Sequence, residues 1–243
     1  MVKVVGFSEV VRTLNVMRRR LKKTQWSQSA KRLAPYFLGA PEVFRNYRYL
    51  ARSRGAFVQQ VAVGLVARGY FFYSKAIMPE GKDLLAIDRK LDQKYGFAMS
   101  KWQRSRLPRD QARVQYLRFN RTFVLLATEG EHRFFEEESQ QLDIRRVPLK
   151  AFGYSISAKW CTKKGAWRPS VRLTATHLAE VEWALVGELN RGTNLEECIR
   201  GLDLLWFSPV RRQVYRLVKK YCEARGGVGE HLPRRRQVKV FQD

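Results

Sequence analysis

The chain has few of the residues that build disulfide frameworks or metal centres. Only three of its 243 residues are cysteines and only three are histidines. They are Cys161, Cys198, Cys222, His132, His177 and His231. Such scattered cysteines do not form a disulfide framework, which favours free thiols in a reducing compartment. Neither residue type shows zinc-ligand spacing, so the sequence does not predict a zinc module.

Long apolar runs are missing as well. The most apolar stretch, residues 56–66, is interrupted by Gln59 and Gln60. It falls well short of the roughly 18 residues that span a bilayer. The first six residues do not show the charged start and apolar stretch of a secretory signal. We therefore expect no membrane partner, and a cytoplasmic or nucleoid-associated location.

The first 40 residues also match the composition of a mitochondrial targeting segment. They are rich in arginine and contain one acid, Glu9. The helical pattern nevertheless runs on without a break into sequence that reads as folded. We therefore favour a structural N-terminus over a mitochondrial leader.

Acidic residues are scarce relative to basic ones. Lysine and arginine number 47 against 22 acids, a formal net charge of +25. Such an excess causes self-repulsion in a compact chain, and a polyanionic partner explains it most simply. Nucleic acid is the polyanion we favour, because counterion release from its phosphates supplies binding free energy. The same charge does not distinguish DNA from RNA.

The positive charge is concentrated towards the N-terminus. Residues 1–79 carry 15 basic side chains and two acids, whereas residues 80–160 carry 16 and 11, and residues 161–243 carry 16 and nine. The predicted phosphate-contacting residues are a dense N-terminal run, a second basic helix face, a hairpin tip and a basic tail. They are Arg18, Arg19, Arg20, Lys22, Lys23, Arg45, Arg48, Arg52, Lys163, Lys164, Arg234, Arg235 and Arg236. We expect the N-terminal run to contribute most.

Several aromatic residues lie next to cations along the chain. Unpaired bases stack on this combination of side chains. Most aromatics of a domain this size are needed in its core. Trp102 and Trp167 are the predicted stacking residues, because their neighbours in sequence are polar.

Apolar periodicity predicts an α+β fold in three parts. A basic helical lobe covers residues 1–69, a mixed sheet domain covers 70–175, and C-terminal helices with a basic tail cover 176–243. The middle part is predicted in the order β-α-β-β-α-β, which a ferredoxin-like sheet has. The pattern predicts a helix from Pro41 through Arg52, a buried helix at 56–68 and a helix at 84–95 closed by Gly96. It also predicts strands at 113–119 and 122–128, a strand at 144–152 that is broken at Pro148, and two further strands at 154–160 and 170–174.

Two patterns raise the alternative of an enzyme that cleaves or rejoins nucleic acid. Glu136 and Glu137 belong to the densest acidic cluster, which could hold Mg²⁺ for phosphodiester chemistry. The other interpretation of this cluster is an acidic helix face or an internal partner for arginines. Tyr215 lies among arginines and could attack a phosphate, but a core position suits it better.

Taken together, the residues predict binding of structured or single-stranded nucleic acid. Phosphate contacts would dominate, inside a nucleoprotein assembly that includes other proteins. A ribonucleoprotein component and an accessory factor of a mobile element both fit. We expect no cofactor, and Mg²⁺ only with the enzyme alternative.

Overall fold

A computed structural model describes residues 49–191 and 195–224, which fall into two compact units. The first unit spans residues 49–174 and the second spans residues 175–224. Residues 49–69, which we predicted in the helical lobe, belong to the same unit as the sheets. The three-part division of the whole chain stays a prediction.

The first unit opens with a helical segment of changing pitch. Helix α1 (Arg54–Gln59) continues as a π-helical stretch, Gln60–Leu65, and ends in a 3₁₀ turn, Val66–Arg68. The Ser53 side chain caps its first turn. Gly69 ends it with a φ of 92°, which a residue without Cβ adopts freely. The structure therefore confirms a helical segment at the position predicted for the buried helix. The sequence did not predict that its central residues would be π-helical.

Four antiparallel strands form the first sheet. They are β1 (Phe72–Ile77), β2 (Val114–Phe119), β3 (Thr122–Ala127) and β4 (Leu142–Asp143), in the spatial order β2-β3-β1-β4. The predicted β2–β3 hairpin is confirmed, and Asn120 takes the left-handed conformation at its turn. The alternation of buried side chains is weak in β3, because four of its six residues are buried.

Three helices connect these strands. Helix α2 (Leu84–Tyr95) ends at Gly96 in the left-handed conformation, as its sequence predicted. Helix α3 (Lys101–Ser105), which we did not predict, begins at a capping box built on Ser100. Helix α4 (Arg133–Glu137) precedes β4. The helices and antiparallel sheets confirm the α+β class. A ferredoxin-like fold is not confirmed, since the last strand of the sheet has two residues and the chain continues into another sheet.

The second sheet has three antiparallel strands in sequential order. They are β5 (Leu149–Ala151), β6 (Tyr154–Cys161) and β7 (Ala166–Leu173). A two-residue turn joins β5 to β6, with Phe152 and Gly153 both at positive φ, the pattern of a type I′ hairpin. Phe152 accepts this conformation while its ring packs edge-to-face against two other phenylalanine rings.

Two predicted elements are wrong in part. Of the strand expected at 144–152, only β5 (Leu149–Ala151) forms, because Asp143 begins a turn: its carboxylate accepts from the Arg145 backbone N–H at 2.8 Å. Of the helix expected from Pro41 through Arg52, only residues 49–52 are described, and they are not helical. Tyr49 and Ala51 instead bond to the backbone of Arg118 in β2, at 2.7 and 2.8 Å.

The core of the first unit contains a buried ion pair. Asp88 of α2 is fully buried and Arg118 of β2 is 5% exposed. The guanidinium donates to both carboxylate oxygens, at 3.0 and 2.7 Å. The Tyr116 hydroxyl donates to the same carboxylate at 2.5 Å. Apolar residues surround the group: Tyr49, Met78, Tyr95, Phe97, Val114, Leu125, Ala127 and Phe134.

Buried tyrosines predict alkaline unfolding. Burial, with Asp88 nearby, raises the pKa of Tyr49 to about 12 and raises that of Tyr116 further. The unfolded chain ionises tyrosine near pH 10. Stability should therefore hold up to about pH 10 and fall above it, by about 1.4 kcal/mol per pH unit for each phenol kept protonated. Urea titrations across this range should show the fall, and a smaller one in Tyr116→Phe. Tyrosinate absorbance of both phenols near pH 10 in the folded chain would contradict it.

The second unit is helical. It contains α5 (Ala175–Asn190), α6 (Leu195–Gly201) and α7 (Ser208–Ala224), and α5 contacts both of the others. The Lys220 ammonium of α7 donates to the Glu182 carboxylate of α5 at 2.9 Å. Within the described ranges, no helix combines the length and apolar character needed to cross a lipid bilayer.

Candidate nucleic-acid interface

One face of the second sheet presents cations to solvent. Register places Lys150 and Arg172 on either side of Ser155, and Lys159 directly opposite Arg168. All four cationic side chains are exposed, whereas the opposite face of the same strands is buried except towards the hairpin end, at Trp160, Trp167 and Pro169. We call these four cations the basic face: Lys150, Lys159, Arg168 and Arg172. No acidic residue belongs to β5, β6 or β7.

The spacing of the basic face suits an extended polyanion. Residues along a strand rise about 3.4 Å each, so the Lys159–Arg168 pair lies about 14 Å from the row through Ser155. Ser157 and Ser170 are paired in the row between them, so no acid separates the two cationic rows. Cations in two such rows can each contact a phosphate of one extended strand. Like charges directly opposite each other destabilise a sheet, and the basic face keeps such a pair.

The β6–β7 hairpin extends this charge beyond the sheet. Its tip is the 3₁₀ turn Thr162–Lys164, closed by Gly165 in the left-handed conformation. Lys163 and Lys164 are both exposed there, as predicted for the hairpin tip. At the other side of the sheet, the Lys75 ammonium of β1 donates to the Lys150 carbonyl at 2.8 Å. The hairpin tip and Lys75 therefore add exposed cations next to the basic face.

Sequence reasoning missed most of this face, although the sequence contains a signal for it. Residues 144–179 hold no aspartate or glutamate. Their cations are Arg145, Arg146, Lys150, Lys159, Lys163, Lys164, Arg168 and Arg172. The run crosses the boundary at residue 160, so charge counted over 80–160 and 161–243 dilutes it with 11 and nine acids from elsewhere.

Two tryptophans lie at the hairpin end of the second sheet. Trp160 and Trp167 are cross-strand partners, with ring centroids 5.7 Å apart at 72°. Trp167 is half-buried and also packs near Phe71. Its stacking role stays a prediction. Trp160, which we did not choose, is the more exposed of the two, with 54% of its surface accessible.

Arg145 supports this tryptophan pair. Its guanidinium lies 4.8 Å from the Phe71 ring centroid and 5.8 Å from that of Trp167. It donates to Asp143 at 3.0 Å and to Glu129 at 2.7 Å. The hydrogen bond to Asp143 raises the pKa of Arg145 still further. Arg145 is therefore a structural cation that links the first sheet to the hairpin.

The remaining predicted contact residues are placed as follows. Arg52 is exposed, just before the Ser53 cap of α1. Trp102 is 60% exposed on α3, and the Arg106 guanidinium lies 3.4 Å from its ring centroid. Ten others lie outside the described residues: Arg18, Arg19, Arg20, Lys22, Lys23, Arg45, Arg48, Arg234, Arg235 and Arg236.

The acidic cluster supplies partners for groups within the fold. Glu137 contacts Lys94 at 2.8 Å and Arg133 at 3.3 Å. Glu138 accepts from the Ser74 hydroxyl at 2.9 Å and from the Tyr95 hydroxyl. Glu136 is exposed on α4. Within residues 49–191 and 195–224, no three histidine, cysteine or acidic side chains come together as metal ligands would.

The phosphate attack predicted for Tyr215 would need histidines that are available to support it. Tyr215 is half-buried on α7. The His132 Nδ1 accepts from the Phe134 backbone N–H at 3.0 Å, and burial lowers the pKa of this histidine. The His177 Nδ1 lies 2.8 Å from a Glu180 carboxylate oxygen. Each described histidine is thus engaged locally.

Comparisons with protein-family models, with curated proteins and with solved structures give no match. The candidate interface therefore rests on the charge and geometry of these residues alone.

Proposed function

We propose that the protein binds nucleic acid through the basic face and the hairpin tip, mainly by contacts to phosphates, as part of a nucleoprotein assembly. The observation that carries the proposal is a solvent-facing sheet surface with four cations and no acid. The solvent-exposed surface of a protein usually carries both positive and negative side chains, because like charges side by side repel. Phosphates of a bound strand relieve that repulsion and release counterions.

The N-terminal basic run remains part of the proposal. Its five cations lie within residues 18–23, in a stretch without acids between Glu9 and Glu42. Contacts of this kind add to affinity and register without reading bases. The proposed interface therefore includes the sheet surface and the N-terminal basic run, and the contribution of each to affinity can be measured separately.

Salt dependence tests the proposal. We expect a log–log slope of affinity against salt with a magnitude of at least about 4, at about 0.7 to 0.9 for each neutralised phosphate. The sheet variant replaces Lys159, Lys163, Lys164, Arg168 and Arg172 with glutamine. If all five side chains contact phosphates, its slope should be smaller in magnitude by about 3.5 to 4.5. The measurement is a dissociation constant at several salt concentrations on duplex DNA, single-stranded DNA and structured RNA.

A matched control removes the same charge elsewhere in the same unit. It replaces Lys82, Arg89, Lys90, Lys101 and Arg109 with glutamine; these cations are exposed, and all but Lys101 lie within two residues of an acid in sequence. The salt slope of this control variant should differ from that of the unaltered protein by less than about 0.9, which is the contribution of one phosphate contact. An equal loss in both variants would mean that binding is diffuse over the surface and would overturn the basic face.

A third variant replaces Arg18, Arg19, Arg20, Lys22 and Lys23 with glutamine. A loss here, together with an unchanged sheet variant, would move the interface to the N-terminus. A flat salt response of the unaltered protein on all three nucleic acids would contradict nucleic-acid binding itself.

A further inference from the structure

Trp160 is held in place by its neighbours but remains largely open to solvent. Its ring meets that of Trp167 at 72°, and Trp167 in turn packs near Phe71 at 62°. Arg145 contacts both of the latter rings and is fixed by two carboxylates. The row of contacts fixes one side of Trp160, while 54% of its surface stays accessible. A side chain ordered in this way loses little freedom on binding a planar ligand.

The surroundings of Trp160 are positively charged. The tip lysines Lys163 and Lys164 follow it within four residues, and both are exposed. Lys159 precedes it with its side chain on the opposite face of the strand, so the tip lysines are the cations best placed to act together with the ring. An aromatic ring next to cations that can bind phosphate is the pairing on which single strands stack their bases.

The two other strongly exposed tryptophans of the described residues differ in this respect. The Arg106 guanidinium already covers Trp102, at 3.4 Å from the ring centroid. Trp183 is 80% exposed on α5, a helix that carries Glu180, Glu182 and Glu188. Acids repel phosphates, so a nucleic-acid strand is disfavoured there. Trp183 therefore serves as a control for tryptophan exposure alone.

We infer that Trp160 is a stacking platform for an unpaired base, and that the protein prefers single-stranded nucleic acid or a strand with a splayed-out base. This inference rests on the proposed function, since the tip lysines must hold the backbone while the base stacks. A base in a duplex already stacks on both faces and would have to leave the helix to reach the ring. Base stacking is tolerant of sequence, because every base has an aromatic face.

The test compares three ligands with equal numbers of phosphates. They are an oligothymidylate, an oligonucleotide of abasic residues, and a duplex. Trp160→Ala should weaken binding of oligothymidylate by about tenfold and leave the abasic strand and the duplex within about twofold, as stacking on one base predicts. Trp160→Phe should retain part of the affinity, because a phenyl ring also stacks, and should lose part of the tryptophan fluorescence quenching on binding. Trp183→Ala should bind all three ligands as the unaltered protein does.

Equal weakening on all three ligands would show that Trp160 acts by supporting the hairpin, and would overturn the stacking role. An unchanged affinity for oligothymidylate would overturn it as well. The stacking role would also be overturned if Trp160→Ala lost binding to vesicles of anionic phospholipid while its oligonucleotide binding stayed unchanged. The ring would then contact a lipid surface and not a base. Failure of the unaltered protein to bind any of the three would refute the proposed function first, and is thereby distinguishable. Melting curves of both Trp160 variants confirm that they fold.

Discussion

Asp88→Ala should lose about 3 to 5 kcal/mol of unfolding free energy, among the largest effects of any single change in this fold. The substitution leaves the Arg118 guanidinium, 5% exposed, without the carboxylate that accepts two of its hydrogen bonds. It also removes the acceptor of the Tyr116 hydroxyl. A buried charge without a partner is costly because water cannot replace the lost oxygen atoms. Urea denaturation measures the difference.

Two controls identify the cause. Lys94→Ala removes a partly exposed ion pair between α2 and α4 and should cost at most about 1 kcal/mol. The double variant Asp88→Leu with Arg118→Met removes both buried charges at similar volume. It should recover most of the loss, since apolar replacement of a whole buried pair is often neutral. A loss below about 1 kcal/mol in Asp88→Ala would show that water or a neighbouring group solvates Arg118.

Gly130→Ala should be about as damaging, at about 3 to 4 kcal/mol, for a steric reason. Gly130 has a φ of 130°, and a Cβ there would lie 2.4 Å from the Asp110 carbonyl oxygen and 2.6 Å from the Ala112 nitrogen. Both atoms belong to backbone that bonds to Glu131. They have no freedom to give way as a flexible side chain would. The melting temperature should fall by about 10 °C for a chain of this size.

Gly81→Ala is the matched control for Gly130→Ala. Gly81 also has a positive φ, of 74°, but no atom lies within 4 Å of the position that a Cβ would take there. Its cost should be limited to the backbone preference, about 1 to 2 kcal/mol. Similar losses in the two variants would mean that the Gly130 turn opens to admit a methyl group. The turn also carries Glu129, so its displacement should loosen Arg145 as well.

Strongly patterned elements were predictable from sequence. The β2–β3 hairpin has two β-rich runs around Asn120, and α2 has apolar spacing that ends at a glycine. Both signals are local, and the structure has both elements where they were expected. The hairpin of β6 and β7 was likewise located, with Lys163 and Lys164 at its tip.

The errors arise where a side chain competes with the backbone or where partners are distant. Asp143 bonds to the backbone two residues on and ends β4, so apolar character at 144–152 did not make one strand. Tyr49 and Ala51 pair with Arg118, nearly 70 residues away in sequence. Helical spacing around Arg48 gave no hint of that pairing.

The basic face was only partly predictable for a related reason. The charges themselves are in the sequence, but their common side depends on the register of three strands. The register of β6 and β7 also places Trp160 and Trp167 on one face. Only the packing in the folded chain shows that Trp160 is exposed and Trp167 is half-buried.

The opposed pair Lys159 and Arg168 gives added salt two opposite effects. Ions screen the repulsion between the two strands, so they favour the free folded chain. The same ions compete with the protein for phosphates, so they weaken the complex. A bound polyanion neutralises Lys159 and Arg168 directly, so no added ions are needed to reduce their repulsion. A ligand that binds only the folded state also raises the melting temperature. Under the proposed function, the hairpin should therefore be more stable with bound nucleic acid than alone, and the difference should be greatest in dilute buffer.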